Sequence, residues 1–132
     1  MAIEVVPHRP EWAAQFAKVR ADLRAALHAT PYRSIEHVGS TSVPGLAAKP
    51  ILDIDVIAEP EDVPAVLHAL EVAGYRHCGD LGVAGREALD APDDSPPRHV
   101  YVCAAGTLHV RNHLAVREIL RARPDLRDEY GA

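Results

Sequence analysis

The chain has 132 residues, 48% of them hydrophobic, enough for one globular domain that builds its own core. Fourteen Lys and Arg against nineteen Asp and Glu leave a net charge of −5, which argues against a general affinity for nucleic acid backbone. Cys78 and Cys103 lie far apart with no Cys-x-x-Cys spacing, so they read as buried free thiols rather than a disulfide framework.

Ile3 to Val6 reads as a short edge strand ended by Pro7, with no charged region and apolar run of a signal peptide. No segment has the length of a membrane span, so the expected location is the cytoplasm. Pro10 and Glu11 open a helix, with Pro at its first turn and an acid near the positive end of the dipole. Trp12, Phe16, Val19, Leu23 and Leu27 recur on it at three- and four-residue steps, one apolar stripe for a core. Arg33 to Val38 and Ile51 to Ala58 read as the next two strands. Pro60-Glu61-Asp62 then starts a second helix whose Val63, Val66, Leu67 and Leu70 form its buried side, and Gly74 stops it.

Tyr75 to Cys78 is a further short strand. From Gly79 to Pro97 the chain is rich in Gly, Pro and acids and weak in periodicity, so it reads as a long mobile loop or β-excursion, a lid. Arg98 to Ala104 alternates as a strand. Thr107 caps a last helix that runs to about Arg123, where Pro124 interrupts it. The order αββα then ββα fits a single α+β domain over residues 1–132, a mixed β-sheet with helices packed on one face.

The chemistry concentrates between Ile35 and Val56. Strand alternation puts Asp53 and Asp55 on one face, roughly 6–7 Å apart, with Ile54 and Val56 on the other. Two adjacent carboxylates repel unless a cation sits between them, and a hard divalent ion is the usual answer. The Gly39-Ser40 turn offers small residues and backbone N–H groups suited to phosphate oxygens. Lys49, held extended by Pro50, would neutralise a phosphate oxygen. A phosphate element beside a metal element implies a nucleoside triphosphate. The plain alternative is an acidic pair on a solvated strand face and Gly39-Ser40-Thr41 as a simple turn. His109 and His113, spaced i,i+4, could chelate zinc, but residue 110 is Val where a zinc-protease motif needs Glu, so they read as exposed or capping. His37, two residues before the Gly-Ser turn, is placed either to orient the loop or to touch nucleotide.

Val38-Gly39-Ser40, twelve intervening residues and Asp53-Ile54-Asp55 resemble the nucleotidyltransferase superfamily signature. Within it, His37-Val38-Gly39-Ser40-Thr41-Ser42-Val43-Pro44-Gly45-Leu46, Lys49-Pro50 and Asp53 resemble the GrpB family. Gly74-Tyr75, Gly85-Arg86, Arg98-His99-Val100-Tyr101-Val102 and Leu114-Ala115-Val116-Arg117-Glu118 agree with it. The resemblance implies a nucleotidyltransferase-like fold and a Mg²⁺ (or Mn²⁺) dependent protein that takes a nucleoside triphosphate and a small-molecule acceptor; the acidic net charge disfavours a nucleic acid partner, and segment length gives no membrane partner. Asp53 and Asp55 would be the metal ligands, and Gly39, Ser40, Thr41, Lys49 and the loop residue Arg86 would hold the nucleotide or acceptor. The superfamily's third carboxylate is absent, and His99 stands in its place as a third catalytic group beside Asp53 and Asp55. The alternative is a catalytically degenerate nucleotide- or phosphometabolite-binding module linked to coenzyme A metabolism. The resemblance also implies a further amphipathic helix after Asp128-Glu129-Tyr130, which this chain would lack.

Overall fold

A computed structural model describes residues 4–131. Its five strands are β1 (Ser34–Val38), β2 (Leu52–Ala58), β3 (Arg76–Gly79), β4 (Arg86–Asp90) and β5 (Arg98–Ala104). Its helices are α1 (Glu11–Ala26), α2 (Val63–Val72), α3 (Leu108–Ala122) and α4 (Pro124–Gly131). The strands form one mixed sheet in the order β1-β2-β5-β4-β3. Only the central β2–β5 pair is parallel, and β1, β4 and β3 add antiparallel.

The central strands alternate, so one face of each is apolar and covered by helices while the other carries polar side chains. Leu52, Ile54, Val56, Val100 and Val102 point to one side and are fully or almost fully buried under Trp12, Val19 and Leu23 of α1 and Val66 and Leu70 of α2. Each such side chain contributes about 1.5–3 kcal/mol by leaving water. This is the expected helix-covered face. Helix α3 lies across part of the opposite face, where Val110 packs on Ile57 and Cys103. Thr107 caps α3 by accepting from the Val110 N–H at 3.4 Å.

Three expectations change. The first strand is reduced to a single bridge between Val6 and Ala48, and Ile3 lies outside the described residues. The segment from Gly79 to Pro97 is an excursion rather than a lid: its middle, Arg86–Asp90, is β4, paired along β5. Pro124 ends α3 and opens α4, a second short helix. Among the described residues, no helix is long and apolar enough to cross a membrane.

Candidate active site

Asp53 and Asp55 stand on the sheet face away from α1 and α2, and parallel pairing sets Asp53 beside His99 and Asp55 beside Tyr101. Alternation on β5 fixes that register. A one-residue slip would bury His99 and expose Val100 and Val102, both 0% exposed. The His99 Nδ1 lies 3.4 Å from Asp53 Oδ1, with the histidine side chain 56% exposed. The Asp53 interaction holds the His99 pKa above the ordinary value, against the opposing effect of partial burial.

Gly39 follows β1 and opens a 3₁₀ turn over Ser40–Ser42. Its φ of 72° suits glycine. An added Cβ there would sit 2.5 Å from Asp53 Oδ2, so the turn and the carboxylate are packed backbone to side chain. Asp53 therefore has one oxygen toward His99 and the other against Gly39. Ser42 braces the turn by donating to the Gly39 carbonyl at 2.6 Å. From behind, His37 Nε2 and Thr41 Oγ1 are hydrogen-bonded at 2.9 Å, and the His37 ring stacks on Phe16 with centroids 4.8 Å apart. His37 thus orients the loop, one of the two roles its position suggested. Ser40, Thr41, Lys49, Asp53 and His99 line one open cleft of about 370 Å³.

Asp55 is deeper. It is 0% exposed, accepts from His113 Nδ1 at 3.0 Å through Oδ2, and has Oδ1 buried with no N–H or O–H donor, its carboxylate otherwise meeting only the weakly donating Cys103 thiol. An orphaned carboxylate oxygen is costly and fits a missing cationic ligand. Asp55 also raises the His113 pKa, and burial with Asp55 raises that of the Cys103 thiol far above its usual range. Cys103 is buried as expected, whereas Cys78 is only partly so; both are free. Among the described residues no three His, Cys, Asp or Glu side chains are gathered as a ready metal site.

Arg86 is not on a loop. It sits on β4 with its guanidinium 4.6 Å above the Tyr101 ring, beyond the lining of the cleft. His113 is neither exposed nor capping, and the His109 side chain lies outside those described. Sequence spacing could not supply its role, because its partner Asp55 is 58 residues away. Three arginines from α3 and α4 were also missed. Arg117 donates to Glu36 and to the His37 carbonyl (2.9 and 3.1 Å), Arg121 to the Ser42 carbonyl (2.9 Å) and Arg127 to the Pro44 carbonyl (3.1 Å). They hold the Gly-Ser loop from the α3–α4 side.

A family described as GrpB protein matches residues 2–132. The chain is 31% identical over 131 residues to the UPF0157 protein YqkA of Bacillus subtilis (strain 168), covering 97% of this chain and 37% of that one. It thus spans little more than a third of that relative's length. The crystal structure of the conserved protein GrpB from Enterococcus faecalis superposes with a TM-score of 0.83 at 36% identity, over 97% of this chain and 78% of that chain. The MgGTP-bound Cid1 poly(U) polymerase gives 0.64 at 16% identity, over 93% of this chain and 41% of that one. That similarity shows a shared nucleotidyltransferase-type fold.

Proposed function

The chain belongs to the GrpB family, and on that premise we propose that it binds a nucleoside triphosphate with Mg²⁺ or Mn²⁺ and transfers its nucleotidyl group to a small-molecule hydroxyl. One observation carries the reading: Asp53 and His99 open into the same cleft as Ser40, Thr41 and Lys49, with the unpartnered Asp55 oxygen behind them. Asp53 and Asp55 would hold the metal, which would supply charge neutralisation to the triphosphate. Its nucleotide-bound neighbour Cid1, a distant one, makes the same class of ligand reasonable for this fold.

The chain's own groups do the rest. Backbone N–H groups of Gly39 and Ser40 and the Ser40 hydroxyl cradle phosphate oxygens, and Lys49 offsets their charge. In the transfer, the acceptor oxygen forms a bond to the α-phosphorus while the bond to the bridging oxygen breaks and pyrophosphate leaves. His99, positioned by Asp53 and neutral once the pH exceeds its raised pKa, takes the acceptor proton. The exposed imidazole on the carboxylate face favours an enzyme over a binding module.

Two measurements test this. In wild-type protein, Mg²⁺ or Mn²⁺ at a hundredfold excess over its dissociation constant should stabilise the fold by ~2.7 kcal/mol. The Asp53→Asn/Asp55→Asn variant should show no response. An unchanged metal response in that variant refutes the site. Metal-free, the double variant should be close to wild type, because His99 and His113 already offset the paired charge. Separately, His99→Gln should lower pyrophosphate release by roughly 10²-fold or more while nucleotide affinity stays unchanged. Equal turnover in His99→Gln removes His99 from the proton transfer, and nucleotide binding without pyrophosphate release in wild type returns the protein to a binding module.

A further inference from the structure

A second polar concavity lies at the other end of β1. Arg20 and Arg24 of α1, Tyr32, Arg33 and Ser34 surround a cavity of about 340 Å³ whose apolar wall is Ile35. We propose that this groove is a binding site for a small polyphosphate or phosphate-ester anion. It is separate from the transfer cleft, since β1 puts about 15 Å of strand between Ser34 and Gly39. The inference stands whether or not the transfer reading does.

Two of the three guanidiniums, those of Arg20 and Arg33, have a partner within the fold. Arg20 and Arg24 are one helical turn apart and therefore share a face of α1. Arg20 lies over the Phe16 ring at 5.5 Å. Arg33 Nε donates to Glu59 at 2.5 Å, which fixes the fork at the groove's rim. Among the described residues neither Arg20 nor Arg24 has a carboxylate within 4.0 Å, so two positive charges line the groove without an acidic partner of their own. Planar guanidinium forks suit phosphate oxygens bidentately, and the Tyr32 and Ser34 hydroxyls add neutral donors.

The rest of the molecule selects the size of the ligand. A net charge of −5 repels an extended polyanion, whereas a compact anion inside the groove meets only the local field. A concave pocket of this volume fits two or three phosphate groups better than a strand or a lipid surface.

The probe is inorganic tripolyphosphate, with chelator present so that divalent metal does not contribute. Titration followed by backbone amide shifts should move Arg20, Arg24 and Ser34, and calorimetry should give an affinity that Arg20→Gln/Arg24→Gln weakens at least tenfold. Both positions are exposed helix surface, so the fold should hold; Arg24→Glu is the single-site check and should weaken binding as well. Shifts confined to Ser40, Thr41 and Lys49, or unchanged affinity in both variants, overturn the proposal. So does tighter arginine-dependent binding of an RNA oligonucleotide or of phosphatidic acid vesicles than of tripolyphosphate, because the ligand is then a macromolecule or a membrane.

Discussion

Acidification from pH 6.5 to pH 4 is expected to cost the fold up to about 3 kcal/mol through His37 alone. Its imidazole is 6% exposed, stacked on Phe16 and bonded to Thr41. Burial, and then the nearby Arg121 guanidinium, lower its pKa from 6.5 to about 4. Each unit of difference between folded and unfolded pKa is worth ~1.4 kcal/mol. Between those values the unfolded chain binds the proton and the folded chain does not, so stability falls as pH falls. The loss starts below the unfolded pKa and is complete at the folded one. His99 and His113 have the opposite sign. Their pKa values are raised, so their contribution is present below 6.5 and is lost only as pH rises through those raised values. The two histidine windows do not overlap, and the difference between wild type and a His37 variant separates the His37 contribution from that of Asp90, Asp93 and Asp125, whose lowered pKa values also cost stability in acid.

Denaturant titrations of wild type and His37→Gln from pH 7 to pH 4 read this directly. At pH 7 the variant should be less stable by about 0.5–1.5 kcal/mol, the worth of a stacked ring pair. It should then lose about 3 kcal/mol less than wild type on the way to pH 4, so the two curves cross. Parallel curves would mean that His37 is already solvated. Because His37 anchors Thr41, triphosphate affinity should fall over the same acid range in wild type more than in the variant.

The central strands were legible because their chemistry is written on alternate residues. Ile54 and Val56 against Asp53 and Asp55, and Val100 and Val102 against His99 and Tyr101, leave one register for a sheet buried on one face by α1 and α2. The α1 stripe was equally plain, although Phe16 left the deepest core to stack on His37. Strand β4 was hidden. It has only Ala88 and Leu89 as its fully buried pair, and it sits between Gly85 and Pro92 in a run of turn residues. Its strand character comes from pairing with β5, a tertiary effect that no local window contains. The same holds for His113, Arg117 and Arg121. A helix face tells which residues share a side, but their partners Asp55, Glu36 and Ser42 are set by where α3 docks. Arg86 shows the converse: the Gly85-Arg86 motif was legible, and its place above Tyr101 was not.

Gly39→Ala, a single methyl, is expected to abolish triphosphate binding while the chain stays folded. Two costs meet at this residue. Its φ of 72° and ψ of −175° lie where only glycine is comfortable, which costs of order 1–3 kcal/mol for any side chain. The new Cβ would also stand 2.5 Å from Asp53 Oδ2 and 3.1 Å from Asp53 Cβ. That carboxylate is braced on its other side by His99, so it must swing away from the loop. The methyl therefore displaces a metal-facing carboxylate and a phosphate-facing turn together. Gly39→Val adds a β-branched side chain and should be worse on both counts. Gly79→Ala separates the two costs. Its φ is also positive, at 82°, but a Cβ there meets nothing within 4 Å. It should lose about 1 kcal/mol of stability from backbone strain and keep wild-type nucleotide affinity. Gly39→Ala should lose more than that and weaken triphosphate binding by at least a hundredfold, with circular dichroism still showing the native fold. If folded Gly39→Ala binds triphosphate as wild type does, the loop is only a turn. The contact between Gly39 and Asp53 would then serve packing rather than a nucleotide.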